Sequence, residues 1–157
     1  IQNGDVVDIA FTPQVNEFRG ERTVQMNILD IRPSCCAEVS GEMTGYHALQ
    51  QNRLTPELAV ALLPDRTTLA TVWRYLASRG GIIQENPICL CRKIVRRSGR
   101  PLSLGKLLTC LDIFADVGLL RHQRLHKYIV IELCRQSGKA DLNQSKTMQI
   151  LLQKKRS

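Results

Sequence analysis

Residues 103–134 read SLGKLLTCLDIFADVGLLRHQRLHKYIVIELC, and a change of hydrophobic period inside this stretch decides how the chain folds. Leu104, Leu107, Leu108, Leu111, Phe114 and Ala115 recur at helical spacing and form a broad apolar stripe, with Ser103 as N-cap and Gly118 as stop. So wide a stripe predicts the most buried helix of the protein. After Leu119 and Leu120 comes a polar, basic stretch from Arg121 to Lys127. Tyr128 to Cys134 then alternates, with Ile129, Ile131 and Leu133 on one side, as a strand does. The strand and the basic stretch before it read as a β-wing.

Upstream, three more helices announce themselves by their caps. Thr55 precedes Pro56, and Leu58, Ala61 and Leu62 share a face until Pro64. Asp65 caps a stretch in which Leu69, Val72, Trp73 and Leu76 fall at i, i+3, i+4 and i+7, and Gly80 and Gly81 end it. Asn86 and Pro87 open a helix running to about Ser98. At 100° per residue its Ile88, Leu90, Cys91, Ile94 and Val95 fill one half, while Arg92, Lys93, Arg96 and Arg97 fill the other. A last helix from about Ser145 carries Met148, Leu151 and Leu152 before the tail Lys154, Lys155, Arg156. Helices leading into a two-stranded wing, with Leu-x-x-Phe-x-x-x-Gly-Leu-Leu at the junction, are similar to the winged-helix arrangement. Residues 54–157 are therefore expected to form a mainly helical, winged-helix-like domain. Such folds bind DNA or protein, so the fold alone does not choose.

The N-terminal part reads differently. From Val6 to Thr12 the residues alternate, with Val7, Ile9 and Phe11 on one expected core face, and Thr23 to Arg32 is a second β-rich run; the turn is expected within Asn16 to Gly20. In the second run Val24, Met26 and Ile28 share a face but Leu29 and Ile31 fall on the other, which a bulge or two-sided burial would explain. Two strands are not stable alone in water, so the hairpin is expected to pack on the downstream part of the chain or to be the remnant of a larger sheet, and a first residue Ile1 that is not Met favours truncation. Residues 33–53, with Pro33, Gly41, Gly45 and Asn52, show no sustained period and are expected to be a linker. The expected class is thus α+β.

The chain has 157 residues, 43% of them hydrophobic, enough for one core and a small appendage. No segment approaches the roughly 20 apolar residues of a membrane span, and no signal-peptide pattern opens the chain, so no membrane partner is expected and a cytoplasmic location is the default. The six cysteines (35, 36, 89, 91, 110 and 134) lack paired C-x-x-C spacing and are expected to be reduced, mostly buried thiols. Of the net charge of +8, none comes from residues 1–50, which hold three basic and seven acidic side chains; residues 51–157 hold nineteen and seven. A basic segment joined to an acidic one points to a polyanion such as nucleic acid.

Two passages carry a family resemblance. GDVVDIAFTPQVNEFRG (4–20) together with VQMNILDIRP (24–33) resembles the end of the oligonucleotide-binding (OB) fold of RecJ, the bacterial single-stranded-DNA-specific exonuclease family. PDRTTLATVWRYL (64–76) and LDIFADVGLL (111–120) look like the C-terminal region of some members. The resemblance implies an OB-fold hairpin over residues 1–32 and a parent enzyme that degrades single-stranded DNA from its 5′ end in repair and recombination, with Mn²⁺ or Mg²⁺ held by Asp and His motifs. Those motifs do not occur here: the histidines are His47, His122 and His126, with no Asp-His-His triplet. The implied role is a non-catalytic C-terminal region, without a cofactor of its own, that assists DNA binding or docks a helicase or single-strand-binding protein.

Arg92, Lys93, Arg96 and Arg97, extended by Arg100 and Lys106, are the candidate phosphate contacts, because Arg and Lys neutralise phosphates and release counterions. Arg124 and Lys127, with His122 and His126, would add a basic wing. A solvated helix face and a solvated hairpin tip are the competing readings. Phe11 and Phe18 are candidate base-stacking residues, against a core role for Phe11 and an anionic hairpin around both. A protein-interaction module and a stand-alone winged-helix regulator of duplex DNA are the alternative functions.

Overall fold

The computed structural model describes residues 7–33, 39–125, 128–135 and 140–156. They form a mixed α+β structure in two compact units, residues 1–38 and 39–157.

The first unit is a hairpin of β1 (Val7–Phe18) and β2 (Glu21–Pro33). The strands run further than expected and leave a two-residue turn at Arg19 and Gly20. Both have positive φ, 52° and 80°, the geometry whose twist matches that of the flanking strands. The irregularity in β2 is a bulge: Ala10 pairs with Asp30 and Phe11 with Ile28, so the register steps over Leu29. The bulge returns Ile31 to the face of Ile28, and the cross-strand apolar pairs are Ile9 with Ile31, Phe11 with Ile28, Pro13 with Met26 and Val15 with Val24. On the other face the Asn16 amide donates to the Gln25 side-chain oxygen at 2.6 Å, and Asn27 donates to Gln14 at 2.7 Å. The expected core face is thus gathered but not enclosed. Phe11 is 46% exposed and Ile9 47%, since two strands form a single layer that buries little by itself.

The second unit begins where a linker was expected. Residues Val39–Gln50 form α1, which packs on the later helices through buried Tyr46. Two glycines hid it from periodicity, and one of them lies close against a neighbour: a Cβ on Gly45 would meet Leu62 Cγ at 3.3 Å. Next come α2 (Pro56–Leu62) and α3 (Arg66–Arg79). Their caps are as expected, with Thr55 Oγ1 accepting from Leu58 N and Asp65 Oδ1 from Thr68 N. Such a cap is worth about 1 kcal/mol relative to Ala. In α2 the buried pair is Ala59 and Leu62, while Ala61 is exposed.

A short strand that the sequence did not announce, β3 (Ile82–Glu85), precedes α4 (Pro87–Ser98). Then come α5 (Leu104–Asp116), β4 (Leu120–Leu125), β5 (Tyr128–Leu133), a 3-10 turn at Leu142–Gln144 and α6 (Lys146–Arg156). The three strands form an antiparallel sheet in the order β3-β5-β4. Helix α5 is the centre of the core: Leu107, Leu108, Cys110, Leu111 and Ile113 have no exposed surface, and α1, α2, α3, α4, α6 and β4 all contact it. Cys91 and Cys110 are buried as expected, whereas Cys89 is exposed. Cys35 and Cys36 lie outside the described residues.

Asp116, at the end of α5, fixes the start of α6. Its Oδ2 accepts from the Ser145 hydroxyl at 2.7 Å and from Thr147 N at 2.8 Å, and Ser145 Oγ in turn accepts from Met148 N. A carboxylate at a helix N-terminus also opposes the helix dipole.

Candidate nucleic-acid interface

Helix α4 is built to show cations to solvent. Asn86 Oδ1 accepts from Ile88 N at 2.9 Å, Pro87 occupies the first turn, and Leu90, Cys91 and Ile94 are buried. Once that stripe is sunk in the core, the helical period leaves Arg92, Lys93, Arg96 and Arg97 outward, and all four are exposed. Gly99, in the left-handed region at φ 65°, closes the helix, and Arg100 comes next with its N–H donating to Ser98 Oγ at 3.2 Å.

These cations are not equivalent. Lys93 is joined to Glu85 of β3, and that bond holds its ammonium above the ordinary lysine range. Arg97 donates to Ser78 Oγ at 3.3 Å and lies over the Tyr75 ring, 5.9 Å from its centroid. It thereby leans toward α3, away from Arg92. Between α3 and α4 is a cleft of about 420 Å³, lined by Thr67, Thr71 and Arg74 from α3 and by Arg97, Ser98 and Arg100 from the end of α4 and beyond, over Tyr75 and Ile94. None of these lining residues is acidic. Arg74 was not among the sequence-derived candidates. Its signal was present, since Thr67, Thr71 and Arg74 fall at i, i+4 and i+7, a polar row on the helix whose apolar row is easier to see.

The remaining candidates lie elsewhere. Lys106 is half-buried in the first turn of α5; with Arg100 it helps to hold the Asp65 carboxyl below its usual range, an effect smaller than that of the Thr68 bonds. Arg124, on β4, sits over the Tyr46 ring at 5.8 Å. Lys127 and His126 lie outside the described residues. His122 is engaged, its Nε2 lying 2.9 Å from Asp112 Oδ1 while its buried Nδ1 meets no partner among the described residues. Asp112 also accepts from the Tyr46 hydroxyl and from Gln50. Burial first, and the Asp112 charge second, push the Tyr46 phenol well above its ordinary value. This polar cluster ties α1, α5 and β4 together. Among the described residues no group of three or more His, Cys, Asp or Glu could hold a metal ion.

In the hairpin Phe18 is 73% exposed, with the Arg19 guanidinium 5.3 Å from its ring centroid. Among the described residues no helix is long and apolar enough to cross a membrane.

No family model, curated protein or solved structure matches this chain.

Proposed function

We propose that the chain is a non-catalytic, RecJ-like C-terminal region that holds single-stranded DNA by its phosphates, with the second unit as a winged-helix-like module and the hairpin as the last strands of an OB-type sheet. The winged-helix reading is supported by the order α3, β3, α4, α5, β4, β5 and by the placing of β5 between β3 and β4. The OB-type reading is supported by the resemblance of residues 4–33 and by an apolar hairpin face left bare.

The observation that carries the nucleic-acid reading is the run of exposed guanidiniums along α4 and its end, Arg92, Arg96, Arg97 and Arg100, continued by Arg74 across the cleft. Such a row neutralises successive phosphates and releases their counterions, whatever the base sequence. By contrast, the duplex-regulator reading loses support. In a winged helix the helix before the wing enters the major groove. Here that helix is α5, enclosed by its neighbours, with Asp112 and Asp116 among its few positions that are not buried.

The test is a salt titration of single-stranded oligonucleotide binding. Replacing Arg92, Lys93, Arg96 and Arg97 by Ala should weaken binding and flatten the dependence on salt by roughly 0.7 for each phosphate that the variant no longer neutralises. Unchanged affinity and slope would remove the assignment.

A second reading, docking of a helicase or single-strand-binding protein, is favoured by one observation. A groove of about 890 Å³ contains Leu69, Trp73, Phe114, Leu119 and Met148, with Arg66 also in its lining. A partner that still co-purifies after nuclease treatment supports it; one that disappears was bridged by nucleic acid.

A further inference from the structure

The cleft between α3 and α4 differs in kind from the outer surface of α4. Its polar lining consists of groups able to donate hydrogen bonds, the guanidiniums of Arg74, Arg97 and Arg100 and the hydroxyls of Thr67, Thr71 and Ser98. Arg97 is already held there, by its bond to Ser78 Oγ and by the Tyr75 ring beneath it. A fixed guanidinium loses less rotamer entropy when it takes an oxyanion than a free one does. The backbone of Arg100 is likewise set by the left-handed Gly99 and the Ser98 hydroxyl. Asp65, whose carboxyl is influenced by Arg100, is committed to the cap of α3.

We infer that this cleft is a phosphate subsite that selects single-stranded over duplex nucleic acid, a reading that rests on the nucleic-acid function proposed above. A volume of about 420 Å³ lies in the lower part of the range of small-ligand pockets and admits one phosphate with its sugar. The phosphates of a duplex are held on a regular convex surface by base pairing and stacking. Reaching a recess between two helices requires one of them to leave that surface, at the cost of the neighbouring stacks. A single strand makes the same excursion by rotating about its own backbone bonds. The outer row, Arg92 and Arg96, has no such requirement and serves either form. Tyr75 is only 8% exposed and covered by Arg97, so no aromatic face is offered to a base, and the subsite reads backbone without sequence.

The test compares two double variants on two probes, a fluorescent oligothymidylate and a mixed-sequence duplex of equal length, at fixed salt. Arg74→Gln with Arg100→Gln should weaken oligothymidylate binding at least fivefold and leave duplex binding within twofold. Arg92→Gln with Arg96→Gln should weaken both probes by similar factors. All four side chains are exposed, so the melting temperature of each variant should match the parent. If the cleft variant loses both probes equally, or neither, the inference is overturned while the role of α4 stands. If the outer-row variant changes neither probe, the proposed use of the α4 surface fails, whatever the cleft does.

Discussion

The Tyr46 hydroxyl donates to Asp112 Oδ2 at 2.8 Å across 66 residues of sequence, joining α1 to the central helix α5. Tyr46 is 2% exposed, and its acceptor is a carboxylate that also receives Gln50 and faces His122. A hydrogen bond to a charged group is worth about 1.5–3 kcal/mol. Tyr46→Phe keeps the ring under Arg124 and removes the bond to Asp112 together with the smaller contact of the hydroxyl with Arg124. It should lower the urea midpoint by the equivalent of about 1.5–3 kcal/mol with an unchanged m-value, whereas Gln50→Ala, at an exposed contact, should cost no more than about 0.5 kcal/mol. Equal midpoints for Tyr46→Phe and the parent would mean that α1 is not held this way.

The start of α6 should be sensitive to acid. Burial pushes the Asp116 carboxyl upward, but the bonds from Thr147 N and the Ser145 and Thr147 hydroxyls outweigh it, and the group lies below the ordinary aspartate value of 3.8. A depressed carboxyl stabilises the fold above its unfolded pKa and ceases to do so as pH falls through the folded one. The parent should therefore lose stability below about pH 4 more steeply than Asp116→Asn, which is weaker at neutral pH but lacks that titration. Urea midpoints measured from pH 7 to pH 3 give the comparison, and parallel curves would contradict it.

Phe114 is 1% exposed and meets Trp73 edge to face, with ring centroids 5.4 Å apart. Phe114→Ala removes an almost fully buried ring and should cost about 3–5 kcal/mol. Trp73 is the only tryptophan, so its emission should also change in the folded state. Val60→Ala, at a 53% exposed position, should cost less than about 0.5 kcal/mol. Comparable losses for the two would mean that the core is not centred on α5.

Helices α2 to α6 were legible because each brings a local signature, an apolar stripe that in α2 to α5 follows a cap at Thr55, Asp65, Asn86 or Ser103. Helix α1 was not, because Gly41 and Gly45 dilute its pattern, and what secures it is a contact with Leu62 and a bond to Asp112, both distant in sequence. Strand β3 has four residues, of which only Ile83 is buried, and it exists because β5 offers an edge. The basic half of α4 could be read from spacing alone. The cleft could not, since Arg74 becomes part of a site only when α3 packs beside α4 and Arg97 lies down on Tyr75.

Residues 39–157 should fold by themselves. Among the described residues every fully buried hydrophobic side chain lies at Tyr46 or beyond, while the hairpin leaves Ile9, Phe11, Val24, Met26 and Ile28 exposed. Since stability scales with apolar surface removed from water, residues 39–157 hold the share that opposes chain entropy. A fragment of residues 39–157 should unfold cooperatively in urea, with a midpoint close to that of the whole chain and an m-value lowered only modestly, because m scales with the surface exposed on unfolding. Trp73 fluorescence reports that transition directly. Residues 1–38 alone should show no cooperative transition, since two strands without a covered face are marginal in water. A fragment 39–157 that fails to fold, or an isolated hairpin that melts sharply, would place the stabilising contacts elsewhere than in the core around α5.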